Sequence, residues 1–364
     1  MINNFSIPAD FKPKKIEEVA QLNEKYKGKA KINEIYGQIT VGNLVGSGRA
    51  NDLLPQVDFP MLESYVRKLD DQGIGFNYTL NTTCVGNQEF DQEFSRKLKD
   101  FLNQLDYIGI HCITVGMPSI VNIIKQGNYS FKLKISTVCQ INNAEKALAY
   151  KRMGADAIVL DESVNRDFKT LKNIRKAFEQ QVELIANVIC HKNCIYEIFH
   201  HNQTSHDNDC NQSKKSIPFY SHRCMLQRCE NPENLLKLAW IRPEDLIHYN
   251  DIGYYNFKIQ GRQAAENGNI LKTTEAYMMR MYDGNFMLLL DCFQPTNAFI
   301  VHLENKKLND YITPFYRQDD FCNNYCEECQ YCKKYIQTCC DYDQISETFN
   351  LANTFYREME EDYK

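Results

Sequence analysis

Ten of the fifteen cysteines in this chain fall into two groups whose spacing suits metal binding. The first group is Cys190, Cys194, Cys210, Cys224 and Cys229, and the second is Cys322, Cys326, Cys329, Cys332 and Cys339. Thiolates are ligands of zinc and of iron–sulfur clusters alike. In a reducing compartment, closely spaced cysteines are metal ligands or redox groups more often than disulfides. The spacing therefore predicts at least one metal centre.

The start of the chain and its composition indicate a folded cytosolic protein. Residues 1–15, MINNFSIPADFKPKK, lack the apolar core of a signal peptide, and no run of about 18 apolar residues occurs that could span a bilayer. Hydrophobic residues make up 43% and charged residues 24%, as in globular chains. The net charge of -5 excludes an overall basic footprint for nucleic acid and leaves room for a local one.

Short β-rich runs alternate with longer amphipathic stretches over residues 1–283. Strands separated by single helices indicate right-handed βαβ crossovers and a parallel sheet. Eight such units suit a closed (β/α)₈ TIM-like barrel. A doubly wound open sheet is the alternative, although no G-x-G-x-x-G fingerprint follows the first strand. The predicted strands are 34–40, 75–81, 107–114, 131–137, 156–162, 182–188, 238–242 and 255–261.

In such a barrel the functional site lies at the carboxyl ends of the strands. The polar residues expected there include Asn81, Glu162, Asn187, Arg242 and Arg262. In the last strand, Lys258, Gln260 and Arg262 share one face, and buried charges of this kind need a partner. That partner is either a structural carboxylate, Asp161 or Glu162, or an anionic substrate.

The first cysteine group lies in a predicted insertion, residues 190–237, that follows strand six. A loop longer than about 15 residues is usually functional or disordered, and this one starts at the catalytic end of the barrel. It holds five cysteines, namely Cys190, Cys194, Cys210, Cys224 and Cys229, and several histidines. The spacing leaves three readings open, namely an iron–sulfur cluster, a zinc site completed by nearby histidines, and unligated thiols.

The second group lies in a predicted cysteine-rich extension, residues 284–364. Cys322, Cys326, Cys329 and Cys332 are separated by three, two and two residues, so four thiols fall within eleven positions. Zinc modules normally use two separated pairs of ligands, which favours a cluster here. A zinc site, or a site shared with the first group or left empty, is the alternative.

Several motifs give the chain a family resemblance. The runs ANVICHKNC, HRCMLQRC, WIRPEDL and YNFKIQGR, with YTLNTTCVGN nearer the N-terminus, resemble peptidase family U32, the collagenase-like proteases. The resemblance covers most of the chain. It implies an iron–sulfur branch related to oxygen-independent hydroxylases of ubiquinone precursors, tRNA uridine and ribosomal RNA cytidine, several of which depend on prephenate. It also implies a four-iron four-sulfur cluster held by Cys190, Cys194, Cys210 and Cys224, with Cys229 as the substitute for Cys210 or Cys224. The spacing of the second group predicts a second such cluster, so that one or two are expected, with zinc as the alternative.

The leading hypothesis is therefore an iron–sulfur enzyme that hydroxylates, or otherwise modifies by redox chemistry, a small organic or RNA substrate. Arg242, Lys258 and Arg262 are the expected catalytic cations, which would bind a carboxylate or phosphate. Asn81, Asn187 and Glu162 are the expected substrate-binding residues. An electron donor and a homodimer or heterodimer with a family member are the expected partners. The alternative is a non-catalytic metal-binding subunit, while a peptidase has no recognisable G-x-S-x-G or H-E-x-x-H motif to support it.

Overall fold

The fold is a closed barrel of eight parallel strands. The structure, a computed structural model, describes residues 1–207, 219–294 and 299–361. Each strand pairs with the next along the chain, and the last pairs with the first through Asn4 opposite Asn256 and Ser6 opposite Lys258. The predicted (β/α)₈ barrel is thus confirmed. The strands β1 to β8 are Asn3–Pro8, Ala30–Gly37, Gly75–Leu80, Cys112–Val115, Lys132–Ile135, Ala157–Val159, Gln181–Ile185 and Asn256–Lys258.

Single helices connect the first seven strands, and several begin at a side-chain cap. The carboxylates of Asp58, Asp91 and Asp167 and the amide oxygen of Asn143 accept backbone N–H bonds at four of these helix starts, as capping residues do. The connecting helices α1 to α6 are Pro13–Lys25, Phe59–Asp70, Gln92–Tyr107, Pro118–Lys125, Ala144–Arg152 and Phe168–Ala177.

The remaining helices belong to the long connection before β8 and to the segment after it. Helices α7 to α10 precede β8 and are Glu197–Asp207, Phe219–Arg228, Asn234–Lys237 and Leu246–Asp251. Helices α11 to α16 follow β8 and are Ile270–Met279, Phe286–Leu290, Thr313–Arg317, Cys326–Cys329, Tyr331–Cys339 and Tyr342–Glu361.

One strand was missed and one segment was wrongly predicted to be a strand, so the predicted total of eight is still correct. The N-terminal segment Asn3–Pro8 is a strand that sequence reasoning missed. Residues 238–242 do not join the barrel, and Leu238 makes only an isolated bridge to His191. The segment runs instead beside the residues that follow β7, where the Ala239 N–H donates to Cys190 O at 2.9 Å and the Ile241 N–H donates to Ala186 O at 2.8 Å. The Arg166 guanidinium also donates to the carbonyl oxygens of Leu236, at 2.7 Å, and Leu238. The cysteine-rich insertion consequently follows the seventh strand, β7, and not the sixth.

A layer of polar side chains fills part of the barrel interior. Lys134 Nζ lies 2.6 Å from Glu34 Oε1 and 3.3 Å from Glu183 Oε2, and all three side chains are buried. Asn77 donates to Glu34 at 2.8 Å, and Ser6 donates to Glu183. Each charge in this layer has a partner, as buried charges require. The layer is therefore structural, and it forms the floor beneath the carboxyl ends of the strands.

The segment after β8 packs into the same hydrophobic core as the barrel. Leu303, Leu308, Tyr311 and Ile336 are buried in one cluster with barrel residues such as Phe257. The predicted division into residues 1–283, with the insertion 190–237, and 284–364 stays a prediction. Among the described helices, none is both long enough and apolar enough to cross a membrane.

Candidate functional site

A cavity of about 110 Å³ lies at the carboxyl end of the barrel. Five residues predicted for the site line it together, namely Asn81, Glu162, Cys190, Lys258 and Arg262. They come from the carboxyl ends of β3, β6 and β8 and from the insertion after β7, far apart in sequence. The cavity is smaller than the ~300 Å³ or more of pockets that hold drug-sized ligands, so it suits a small ion or one end of a larger substrate.

The last strand and the turn after it position both cations. Lys258 is the last residue of β8, and Arg262 opens a single 3₁₀ turn, Arg262–Ala264. Gly261 lies between them at a φ of 132°, where a Cβ atom would come within 3.1 Å of Cys292 Sγ. This is backbone that glycine adopts without strain. The glycine therefore lets the chain turn while both cations stay on the cavity wall.

Lys258 is a buried cation with no partner in the described chain. Only 8% of the residue is exposed, and its Nζ atom makes neither a hydrogen bond nor an ion pair with the described residues. Its one close contact is the Tyr36 ring, whose centroid lies 3.9 Å from Nζ. Burial lowers the pKa of Lys258 to about 8, although Glu183 partly opposes the shift. An anion in the cavity would supply the missing partner.

Arg262 is held by hydrogen bonds that leave part of its guanidinium available. Nη1 donates to Ser47 Oγ at 2.8 Å and to Thr79 Oγ1 at 3.1 Å. Burial, together with nearby Arg49, lowers the pKa of Arg262 to about 10, so the group stays charged near neutral pH. The Nη2 atom has no hydrogen bond to the described residues. It is free to donate to an oxyanion.

Three carboxylates lie close together, and two of them, Glu162 and Glu197, line the cavity. One ligand oxygen each of Asp161, Glu162 and Glu197 lie within 4.8 Å of one another. Glu162 Oε2 accepts a hydrogen bond from Thr137 Oγ1 at 2.9 Å. Burial and then Asp161 raise the pKa of Glu162 to about 7, while burial, Glu162 and Asp161 raise that of Glu197 to about 8. Glu162 and Glu197 therefore exchange protons near neutral pH, as a general acid or base must.

Cys224 lies near the other described cysteines of the first group. Burial is the main cause that raises the pKa of the Cys190, Cys194 and Cys229 thiols, and Cys224 adds to each rise. Cys190 lines the cavity and is an exposed residue, but the protein around its sulfur, followed by Glu162, raises the pKa of the thiol well above the ordinary value. Cys210 lies outside the described residues. In the described chain, no three of these sulfurs lie within 4.8 Å of one another.

The chemistry of these donors fits a thiolate-bound metal group. Cysteine thiolates bind zinc and iron–sulfur clusters alike, and a cluster holds its cysteines farther apart because it carries its own bridging sulfides. Either group would supply positive charge beside Glu162 and Glu197.

Two of the predicted site residues, Arg242 and Asn187, do not line the cavity. The guanidinium of buried Arg242 donates to Leu308 O at 2.5 Å and to Asn309 Oδ1 at 2.8 Å, in the segment after β8. The Asn187 amide donates to Gln260 O at 2.9 Å and to Leu290 O at 3.0 Å. Both side chains fasten loops to one another, and the strand-end rule alone did not distinguish this role from substrate binding.

Sequence reasoning missed four residues that line the cavity: Arg49, Glu197, His200 and His201. Three of them belong to α7, which lies over the barrel mouth. Glu197 and His201 are one helical turn apart, with 4.0 Å between Glu197 Oε1 and His201 Nε2. That spacing in the run EIFHH was the available signal. Burial lowers the pKa of His200 to about 4 and that of His201 to about 3, so both imidazoles are neutral.

The four cysteines of the second group line a different cavity. Cys322, Cys326, Cys329 and Cys332 surround a space of about 220 Å³ together with residues such as Lys237 and Phe321. None of these residues lines the barrel cavity. The structure thus separates the two cysteine groups.

Comparison with known proteins identifies the family. The model of peptidase family U32 matches residues 27–287, which is more than half of the chain. The chain belongs to peptidase family U32. It is similar to the uncharacterized protease MJ1657 of Methanocaldococcus jannaschii, with 29% identity over 337 residues, which cover 91% of this chain and 96% of that protein. The predicted family resemblance is confirmed.

A solved family U32 structure shares the fold. The U32 peptidase Mk0906 is 17% identical, with a TM-score of 0.51, and the match covers 71% of this chain and 92% of that one. At this identity the likeness shows the barrel alone. The names of these relatives call them proteases without saying what they cleave.

Proposed function

We propose that this family U32 chain is an iron–sulfur enzyme that modifies a small anionic substrate, or one anionic end of a larger one, by redox chemistry. Oxygen-independent hydroxylation is the reaction that its resemblance to the hydroxylase branch implies. One observation carries the proposal, because the Cys190 thiol shares a cavity with Lys258, Arg262 and Glu162. A redox group at Cys190 would therefore lie beside the substrate.

The two cations support an anionic substrate. Lys258 is buried without a hydrogen-bond or ion-pair partner in the described chain, and Arg262 keeps Nη2 available. A carboxylate or phosphate between them would receive charge-assisted hydrogen bonds from both. Arg49 also lies on the cavity wall and would add a third positive charge. Asn81, whose Nδ2 lies 3.3 Å from Ser136 Oγ, is placed to orient the substrate.

Glu162 is the residue best placed to move a proton. Its carboxyl has a pKa of about 7 because it is buried next to Asp161, so both protonation states are populated near neutral pH. Glu197 buffers it from the neighbouring helix, since its pKa is raised in the same way. The Thr137 hydroxyl holds one oxygen of Glu162 and so fixes the direction of the other.

Cys190, Cys194 and Cys224, with Cys210 or Cys229 as the fourth ligand, would hold the cluster. Such a cluster supplies one-electron chemistry and, where one iron lacks a cysteine, a Lewis-acidic position. Thiolate ligation and reversible electron transfer suit a reducing cytosol and require an electron donor. We include a second family member among the expected partners, as homodimer or heterodimer.

A cysteine peptidase is the less favoured reading. A cysteine nucleophile needs a lowered thiol pKa and a cationic neighbour such as a charged histidine. Cys190 has the reverse, because burial and the charges of Glu162, Cys224 and Glu197 raise its pKa. The histidines beside it are neutral. These surroundings disfavour a free thiolate.

The test compares anaerobically purified wild type with Cys190→Ser and Lys258→Ala. We expect iron and acid-labile sulfide in the wild type, loss of about four of each per chain in Cys190→Ser, and no loss of either in Lys258→Ala. Mass spectrometry of RNA nucleosides and small metabolites from cells producing each form should show an oxygen-containing product with the wild type only. Zinc-loaded, iron-free protein that still forms the product would refute the iron–sulfur reading.

The same variants address the non-catalytic alternative. A binding subunit would retain its partners in Lys258→Ala and would give no product with any form. Affinity purification of wild type and Lys258→Ala under anaerobic conditions measures this directly. Loss of product without loss of iron or partners supports the enzyme.

A further inference from the structure

Two left-handed residues fold the second cysteine group into one site. Asn324, at a φ of 64°, turns the chain between Cys322 and Cys326, and Gln330, at 53°, separates α14 from α15 between Cys329 and Cys332. A single continuous helix would place these four side chains along one face but spread them over about 15 Å of its length. The break instead directs all four thiols to the same cavity of about 220 Å³.

Two polar groups from outside the segment reach these sulfurs. Lys192 Nζ lies 3.8 Å from Cys322 Sγ, and the Tyr311 hydroxyl lies 3.2 Å from Cys332 Sγ. Both groups can donate a hydrogen bond to a thiolate. The site therefore offers its sulfurs the outer contacts that metal-bound thiolates receive.

The contact from Lys192 ties this site to the first cysteine group. Lys192 lies between Cys190 and Cys194 in the run CHKNC. Its backbone N–H donates to Lys237 O at 3.3 Å, and Lys237 also lines the cavity of the second group. One short loop therefore carries ligand candidates of the first site and touches a sulfur of the second.

The size of the site favours a cluster over a single ion. In the described chain, no three thiols lie within 4.8 Å of one another, whereas tetrahedral zinc would hold its sulfurs less than about 4 Å apart. The sulfurs surround a cavity instead of touching. A cluster with bridging sulfides bonds to cysteines spaced in this way.

We propose that Cys322, Cys326, Cys329 and Cys332 bind a second iron–sulfur cluster, docked against the loop that carries Cys190 and Cys194. Lys192 acts on this cluster as a positioning residue through its hydrogen bond to Cys322. The proposal goes beyond the function assigned to the barrel cavity and does not depend on it, since the two sites share no ligand.

The first test counts iron and sulfide in the full chain, purified anaerobically in a Cys194→Ser background to remove the contribution of the barrel site. We expect that Cys326→Ser or Cys329→Ser then removes about four iron and four sulfide ions per chain. Cys340→Ser is the matched control, because Cys340 lies in the same segment but does not line the cavity, and it should leave the iron unchanged. Zinc in place of iron, or iron content indifferent to Cys326 and Cys329, would overturn the proposal.

The second test keeps all four ligands and so does not depend on the cysteine variants folding. A lysine N–H bond to a cluster sulfur stabilises the reduced form, and second-shell contacts of this kind tune metal sites. In the Cys194→Ser background, Lys192→Ala should therefore shift the midpoint potential of the remaining cluster to a more negative value. The exposed Lys334, on α15 and outside the cavity, provides the control Lys334→Ala. Equal potentials in Lys192→Ala and Lys334→Ala, measured by spectroelectrochemical titration, would show that the cluster does not lie at Lys192.

Discussion

Replacing Lys258 by methionine should stabilise the protein while abolishing anion binding. The folded-state pKa of Lys258 is about 8, below its ordinary value of 10.5. Between these two values the unfolded chain binds the extra proton, so the free energy of unfolding rises with pH from about 8 to about 10.5. At pH 7 the native state carries the full cost of burying the charge. Methionine fills a similar volume and carries no charge.

The magnitude follows from the shift and from one contact. A shift of about 2.5 pKa units corresponds to about 3 kcal/mol at 1.36 kcal/mol per unit. The substitution also removes the cation–π contact with Tyr36, which contributes about 1–2 kcal/mol at a desolvated site. The net gain at pH 7 should therefore be about 1–2 kcal/mol. For a chain of this length that is an increase in Tm of roughly 1–3 °C.

Lys134→Met is the matched control, because Lys134 is a second lysine inside the same barrel. Lys134 lies between Glu34 and Glu183, so its removal leaves buried carboxylates unpaired and should cost about 3–5 kcal/mol. Thermal unfolding with and without added inorganic phosphate measures both effects. Phosphate should raise the Tm of the wild type and leave that of Lys258→Met unchanged.

The reasoning fails if Lys258→Met loses stability as Lys134→Met does. That result would mean that Lys258 is a structural cation already balanced by the barrel carboxylates. It also fails if the advantage of Lys258→Met persists undiminished at pH 10, where the wild-type lysine has lost its proton in the folded state and the charge-burial cost should have fallen.

Three further predictions test the assignment of polar residues. Arg242→Met should lower stability by about 3–5 kcal/mol in urea denaturation, because it removes a buried cation bonded to Leu308 and Asn309, but should leave phosphate binding intact; lost binding would return Arg242 to the site. Asn187→Ala should cost about 2–3 kcal/mol in the same assay, since it leaves the carbonyls of two loops unbonded, and an unchanged midpoint would contradict this. The raised pKa of Glu162 makes the native state bind its proton more tightly, so the free energy of unfolding should fall as pH rises from about 4.5 to about 7. Glu162→Gln should flatten that fall when unfolding is measured at pH 5 and pH 7.5, and an identical slope would show that Glu162 does not titrate in this range.

The barrel was predictable from periodicity, but individual strands were not. Seven strands, β2 to β8, lie within or overlap segments predicted from their β-rich composition, although β2 begins four residues before the predicted start. The strand β1, Asn3–Pro8, was not predicted, because the inward-facing Ser6, which hydrogen-bonds to Glu183, interrupts the apolar pattern expected of a buried strand. Residues 238–242 have the composition of a strand and lack only a neighbouring strand. The composition of a segment indicates that it is buried, but whether it pairs as a strand depends on residues that are distant in sequence.

The candidate site was predictable where strands supply it and not where the insertion does. Lys258, Arg262 and Glu162 follow strand ends, and the barrel rule places such residues at the mouth. Glu197 is carried by α7, whose position over the mouth depends on how the long connection before β8 folds back. No local pattern encodes that direction. Arg49 reaches the cavity from the glycine-containing loop after β2, and no local pattern predicts the direction of that loop either.

The functional and structural polar residues differ in whether the protein itself satisfies their hydrogen-bond donors. Asn187 and Arg242 occupy strand-end positions as Lys258 does, but backbone carbonyls of neighbouring loops use their donors. Lys258 is equally buried and has no such partner in the described chain, a state that folding alone disfavours. A buried charge left unpaired beside a cavity is retained against its own stability cost, as active-site groups are. This difference is measurable, because Lys258→Met should raise the free energy of unfolding whereas Arg242→Met should lower it.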